Sequence, residues 1–136
     1  MATYHLQIVT PDGLFFDGEA EKLIVRTTSG DYCLMARHIN YVAGLGMGMA
    51  TLVADGKTRY AACIGGMVTM QENKATLVAS TFEWAEDIDL ERAKNSQKKA
   101  EAVLANQAGA SAQEIALAEA RLKRALVRQS VYSHKA

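Results

Sequence analysis

The sequence is short of the residues that build reactive centres. Among 136 positions there are two cysteines and three histidines. Cys33 and Cys63 lie in apolar, strand-like surroundings without a C-x-x-C spacing, so two buried thiols in a reducing compartment are expected rather than a disulfide or a metal site. His5, His38 and His134 are scattered singly, which argues against metal ligation and for ordinary strand or surface roles. There is no Gly-x-Ser-x-Gly, no Cys/His constellation and no G-x-x-x-x-G-K-[ST] phosphate loop. Gly44-Leu45-Gly46-Met47-Gly48 has no following lysine or helix, and its glycines are expected to mark strand irregularities or close backbone approach. Glu86 and Asp87 are adjacent carboxylates, but at a helix start capping accounts for them without acid/base work. No enzyme activity and no obligatory cofactor are expected.

Long apolar runs are also missing, so no span across a bilayer is expected and any membrane association would pass through a partner. Met1-Ala2-Thr3-Tyr4-His5 lacks a basic region and runs into a strand pattern, so no signal or transit peptide is expected there. Charge is balanced, with 15 basic and 15 acidic residues, and no basic strand is interleaved with aromatics. Nucleic acid is therefore a poor partner. The balance hides an asymmetry: through Asp87 there are 6 Lys+Arg against 10 Asp+Glu, and after it 9 against 5. The second part is suited to anions or acidic surfaces, or carries a solvated helical face.

What is present falls into two segments of different period, 1–84 and 85–136. Up to about Thr81 short strand patterns alternate with turns: Tyr4 to Val9, Leu14 to Asp17, Leu23 to Thr28, Tyr32 to Met35, Met49 to Val53, Thr58 to Cys63, Met67 to Gln71 and Ala75 to Ser80. Pro11-Asp12-Gly13, Ser29-Gly30-Asp31, Asp55-Gly56 and Glu72-Asn73-Lys74 supply the turns. Such spacing predicts an antiparallel sandwich or barrel. Met47, Met49, Met67 and Met70 fit either its core or a sheet face left for a partner.

From Asp87 the chain is helical in pattern, with Asp89 and Glu91 in the first turn. Leu90, Ala93, Ala100, Val103 and Leu104 form a narrow apolar stripe, and Gly109 suits a left-handed helix end. Ser111-Ala112-Gln113-Glu114 reads as a capping box opening a second helix, whose stripe is Ile115, Ala118, Leu122, Ala125 and Leu126. The result is an antiparallel helical hairpin. A buried leucine is worth roughly 1.5–3 kcal/mol and an alanine much less, so an alanine seam predicts marginal closure and helices able to separate. A small helical domain that stays docked is the alternative.

Several stretches together resemble one family. Ile8-Val9-Thr10-Pro11-Asp12-Gly13, Ser29-Gly30-Asp31 leading to His38, Ile64-Gly65-Gly66, and Ala85-Glu86-Asp87-Ile88-Asp89 followed by Arg92-Ala93 are similar, in order and spacing, to the epsilon subunits of bacterial F-type ATP synthases. The resemblance runs from about Tyr4 to Val131. It implies a β-sandwich of about ten antiparallel strands followed by a C-terminal helical hairpin: a non-catalytic rotor subunit of the central stalk, on the cytoplasmic face of the plasma membrane and peripheral to it. The implied partners are the gamma subunit, the c-ring and the alpha/beta catalytic head, the last through the basic helix carrying Arg121, Lys123, Arg124 and Arg128. At the c-ring the family places an acidic residue and a histidine that match Asp31 and His38. Here the loop reads Met35-Ala36-Arg37-His38-Ile39-Asn40 where the family has a Leu-Pro-Gly-His-Ala-Pro pattern, so no proline presets its geometry.

Ile88-Asp89-Leu90-Glu91-Arg92-Ala93 also resembles the I-D-x-x-R-A motif of ATP-binding epsilon subunits, with Lys99, Arg124 and Arg128 where that branch has basic residues. Folding the hairpin about Ala108-Gly109 sets Arg128 opposite Asp89 and Arg124 opposite Ala93. Two guanidiniums beside a helix N-terminus suit phosphate oxygens, and Asp89 suits an adenine amine, so ATP is implied as a regulatory ligand. The same residues admit an i,i+3 pair of Asp89 with Arg92 and a basic face that is solvated or meets acidic protein. A free-standing nucleotide sensor or a β-sandwich adaptor are the alternative functions.

Overall fold

The computed structural model describes residues 2–135 and divides into two compact units between Trp84 and Ala85. The first holds eight strands: β1 (Tyr4–Thr10), β2 (Gly13–Ala20), β3 (Lys22–Thr27), β4 (Gly30–Met35), β5 (Tyr41–Gly44), β6 (Met47–Ala54), β7 (Lys57–Gln71) and β8 (Lys74–Trp84). They pair in the order β2-β1-β8-β7-β6-β3-β4, with β5 also on β7. The expected turns set the hairpins. Asp55 and Gly56, and likewise Glu72 and Asn73, take positive φ between the paired ends Ala54–Lys57 and Gln71–Lys74. That backbone matches the twist of the flanking strands.

Eight strands stand where the resemblance implies about ten because the two longest serve both layers. Met67 to Met70 of β7 pair with β5, whereas Lys57 to Ile64 pair with β6. The first part of β8 pairs with β1 and its last residues with the start of β7. Counted by layer, β7 and β8 each contribute twice. The bend falls at Gly65 and Gly66, both with positive φ, so Thr58 to Cys63 and Met67 to Gln71 are one strand. One ladder is not antiparallel: β1 runs parallel to β8 in the register Leu6–Ala75 and Ile8–Leu77. The whole sandwich intervenes between these strands, ample chain for a parallel crossover.

Alternate residues of the strands meet in one core: Tyr4, Leu6 and Ile8 of β1, Leu23 and Val25 of β3, Leu34, Leu52, Val68, Met70 and Leu77. Burying each large aliphatic contributes about 1.5–3 kcal/mol. The Tyr4 hydroxyl donates to the Leu34 carbonyl at 3.2 Å, so its polar end costs little, and burial pushes its acid dissociation well above the usual phenol range. Cys63 is buried in this core and its thiol is pushed up to about 12 by desolvation. Cys33 is exposed, contrary to the expected pair of buried thiols. Its neighbour Leu34 takes the inward position, and period-two alternation turns Cys33 outward.

The second unit begins with a 3-10 turn, Ala85–Asp87, followed by α1 (Leu90–Ala105) and α2 (Ala112–Tyr132). Helix α1 starts later than expected: Asp89 rather than Asp87 is the N-cap, its carboxylate accepting from the Arg92 amide at 3.0 Å. Ser111 caps α2 by accepting from the Glu114 amide at 3.1 Å. Gly109 does not take the left-handed conformation; it closes a second 3-10 turn with its amide on the Asn106 carbonyl. The seam is as thin as the sequence predicts. Ala93, Ala100, Ala118 and Ala125 are buried, while Leu90, Leu104, Ile115 and Leu122 are half-buried and Val103 and Leu126 exposed. Val131, outside the expected stripe, is fully buried.

Candidate functional site

Hairpin symmetry decides which side chains share a groove. Ala93 and Ala125 each lie sixteen residues from Gly109, and Ala100 and Ala118 each lie nine, so the buried alanines are level in pairs. Alanine at these positions brings the helix backbones close and leaves the longer flanking side chains to line the edges of the seam. On one edge Gln129 donates through Nε2 to Gln97 Oε1 at 2.7 Å. On the other, Asp89, Glu91, Arg92, Asn95, Ser96, Lys99 and Arg121 enclose an open groove of about 630 Å³. A smaller hollow of about 200 Å³, lined by Ala100, Val103, Leu117 and Ala118, shares Lys99 and Arg121 with it.

Of the residues expected at a nucleotide site, Asp89, Arg92 and Lys99 line this groove. Ile88 and Ala93 are buried and do not. Arg124 and Arg128 are half-buried and lie outside its lining; Arg121 occupies the place expected of them. The three arginines follow at spacings of three and four, hence along one side of α2, and Arg121 is the one flanked by the buried Ala118 and Ala125. That flanking is the signal by which it could have been found. Asp89 spends one carboxylate oxygen on its own helix end; the Asp89–Arg92 relation is a cap through the backbone amide. Chemically the groove offers three cationic side chains and two carboxylates on an exposed surface, a setting for a polyanion that also carries hydrogen-bond donors.

In the first unit, Asp31 and His38 do not form one site. Asp31 is paired across β3 and β4 with Arg26, accepting from Nε at 2.5 Å and Nη2 at 3.3 Å. The hydrogen bond from Arg26 holds its carboxyl below the usual range, and the same bond raises the guanidinium. Room for Arg26 comes from Gly48: a Cβ there would lie 2.5 Å from the Arg26 Cβ, the close approach expected of one of those glycines. His38 is half-buried, its Nε2 2.7 Å from the Tyr32 hydroxyl and its Nδ1 2.7 Å from the Ile39 carbonyl. The four methionines divide: Met70 is core, Met47 and Met49 are half-buried, and Met67 is 50% exposed.

Met67 belongs to an apolar row across the outer sheet face. Register pairs Leu14 with Val9, Val9 with Val78 and Val78 with Met67, four neighbouring strands in line. Leu14 is 60% and Val78 49% exposed, unusual for apolar side chains aligned across four strands.

The chain is thus a two-unit protein, a β-sandwich whose two longest strands serve both layers and then a thin-seamed helical hairpin with a basic flank. Residues 3–85 match the model of the ATP synthase delta/epsilon chain β-sandwich domain, and residues 86–132 match that of the delta/epsilon chain long α-helix domain. The ATP synthase epsilon chain of Ruminococcus albus is 40% identical over 99% of this chain and 100% of its own length. That of Shouchella clausii is 35% identical over 99% and 98%. A chain in the cryo-EM structure of the Euglena gracilis mitochondrial ATP synthase OSCP/F1/c-ring shares the fold, with a TM-score of 0.83 at 17% identity, over 96% of this chain and 81% of that one. The chain therefore belongs to the delta/epsilon family of ATP synthase subunits, and it is a non-catalytic, epsilon-type subunit of the central stalk. No helix among the described residues is long and apolar enough to cross a membrane.

Proposed function

We propose that this chain is the rotor subunit that couples gamma to the c-ring in a bacterial ATP synthase, at the cytoplasmic face of the plasma membrane, and that its hairpin restrains ATP hydrolysis. The observation that carries the gamma contact is the apolar row of exposed Leu14, Val78 and Met67 with half-buried Val9, which offers aligned apolar area to a permanent partner. Co-purification tests it. The unmodified chain is expected to retain gamma, and a Val78→Asp, Met67→Asp variant to lose it while keeping its melting temperature. Undiminished gamma binding by that variant overturns the assignment of this face. An unmodified chain that never binds gamma is instead a free-standing sensor or adaptor.

Regulation rests on the second unit. An alanine seam makes hairpin closure weak, and the groove beside it gathers Arg92, Lys99 and Arg121. ATP bound there ties α1 to α2 and favours the closed hairpin by mass action, whereas the separated α2 carries Arg121, Lys123, Arg124 and Arg128 to acidic surface of the alpha/beta head. Titration of the isolated chain with ATP and Mg²⁺, beside an Asp89→Ala, Arg92→Ala variant, decides the matter. Equal responses from the two remove the nucleotide and leave only the basic face.

A further inference from the structure

Side-chain size in the helical hairpin changes at its open end. Along the seam the level pairs are alanine on alanine, Ala100 with Ala118 and Ala93 with Ala125, and each residue offers one methyl. Further from the turn, Ile88 lies twenty-one residues before Gly109 and Val131 twenty-two after it, so these two are level, and both are buried, Val131 completely. Val131 is the penultimate residue of α2, where helix ends ordinarily fray. Among the described residues of the two helices it is nonetheless the one buried side chain larger than alanine. The 3-10 turn Ala85–Asp87 packs against α2, Ala85 is buried, and the Ile88 amide donates to the Ala85 carbonyl at 3.4 Å, which keeps Ile88 beside that turn. Two residues before Val131, Gln129 makes its hydrogen bond to Gln97 of α1.

The geometry points to a clasp: Val131 closes on Ile88 and Ala85, and this contact at the open end, more than the alanine seam, decides when α2 separates from α1. Near the turn the connection itself holds the helices together. Between Ile88 and Val131, however, lie forty-two residues, so that end stays shut only through side-chain contact. A valine or isoleucine side chain buries several times the apolar area of an alanine methyl. The Gln129–Gln97 hydrogen bond is the clasp's polar companion. Ile88 also immediately precedes Asp89, which caps α1 and lines the groove, so the clasp holds that end of the groove against α2. Its consequence for regulation rests on the reading above, in which a separated α2 restrains hydrolysis.

Amide hydrogen exchange on the full chain tests the clasp. Val131→Ala is expected to speed exchange about tenfold or more throughout α1 and α2 while the strands of the first unit keep their protection. Leu122→Ala removes a larger side chain, but from a half-buried position in mid-seam, and is expected to speed exchange less than about threefold. Equal acceleration by the two variants spreads closure along the seam and overturns the clasp. Acceleration confined to the last turn of α2 in Val131→Ala is fraying alone and overturns it as well. The regulatory consequence is read separately, in a complete ATP synthase reconstituted with the Val131→Ala chain, where ATP hydrolysis is expected to fall about twofold or more because a larger fraction of α2 is free. Unchanged hydrolysis with the hairpin opened defeats the regulatory reading and leaves the clasp standing.

Discussion

Gly66 lies against Val78 so closely that a Cβ on the glycine would fall 1.8 Å from the Val78 carbonyl oxygen. Because its φ is also +112°, an L side chain is excluded by both space and backbone. This is the bend that lets β7 serve both layers. Gly66→Ala is expected to cost about 3 kcal/mol or more and to leave the sandwich unfolded or poorly soluble, measured by urea denaturation followed by far-ultraviolet circular dichroism. A loss below about 1 kcal/mol would mean the bend is not tight.

That bend also shows where sequence pattern stops. Two positive-φ glycines inside a strand look like a turn, so one fifteen-residue β7 reads as two short strands. Strand β5, four residues from Tyr41 to Gly44, is too short and too irregular to announce itself, and only its ladder with β7 defines it. The turns at Asp55-Gly56 and Asn73 and the Ser111 cap were legible because each is a local event with a residue-specific cause. The groove was legible in part. The motif points to Asp89 and Arg92, but which arginine of α2 joins them depends on the hairpin's register, and that depends on where the alanines pack.

Closure of the hairpin is set by side chains without reach. Ala125 is fully buried at the seam, level with Ala93, and a larger residue there has nowhere to go. Ala125→Leu is expected to force the helices apart at a cost of about 1–3 kcal/mol to the second unit alone. Hydrogen exchange resolves the two units: amides of α1 and α2 should lose protection while those of β1, β7 and β8 keep it. Helices as protected as the strands in the unmodified chain would refute the weak seam.

The two cysteines are expected to separate by reactivity. Cys63 is buried and its thiol is pushed up to about 12 by desolvation, so almost none is thiolate at pH 8, whereas Cys33 is exposed. Alkylation of the native chain at pH 8 should modify Cys33 alone, and denaturant should release Cys63. Equal rates in the native chain would contradict the core placement of Cys63.

Asp31 has a pH signature of definite sign. Its carboxyl is held below its ordinary value by the Arg26 hydrogen bond, so the pair supports the fold above the unfolded value of about 3.9 and loses that support as pH falls through the folded value. Both side chains are solvent-exposed, and the effect on melting temperature is correspondingly small. Asp31→Asn should lower the melting temperature slightly at pH 7 and not at all at pH 2. An equal change at both pH values would assign the loss to packing.

Arg121 separates the groove from the motif. A triphosphate held by Arg92 and Lys99 of α1 stays attached to one helix; only a cation from α2 lets the ligand bridge the seam, and Arg121 is the α2 residue that lines the groove. Arg121→Ala should therefore weaken ATP binding about tenfold or more, the scale of one charge-assisted phosphate contact, and abolish the ATP-dependent gain in helix protection. Arg124→Ala, outside the lining, should weaken it less. Lys98→Ala, on the exposed side of α1 and also outside the lining, removes one positive charge and serves as the control for a purely long-range effect. If Lys98→Ala and Arg121→Ala weaken binding alike, the anion responds to the charge of the second unit as a whole, and the register of the hairpin has no part in its recognition.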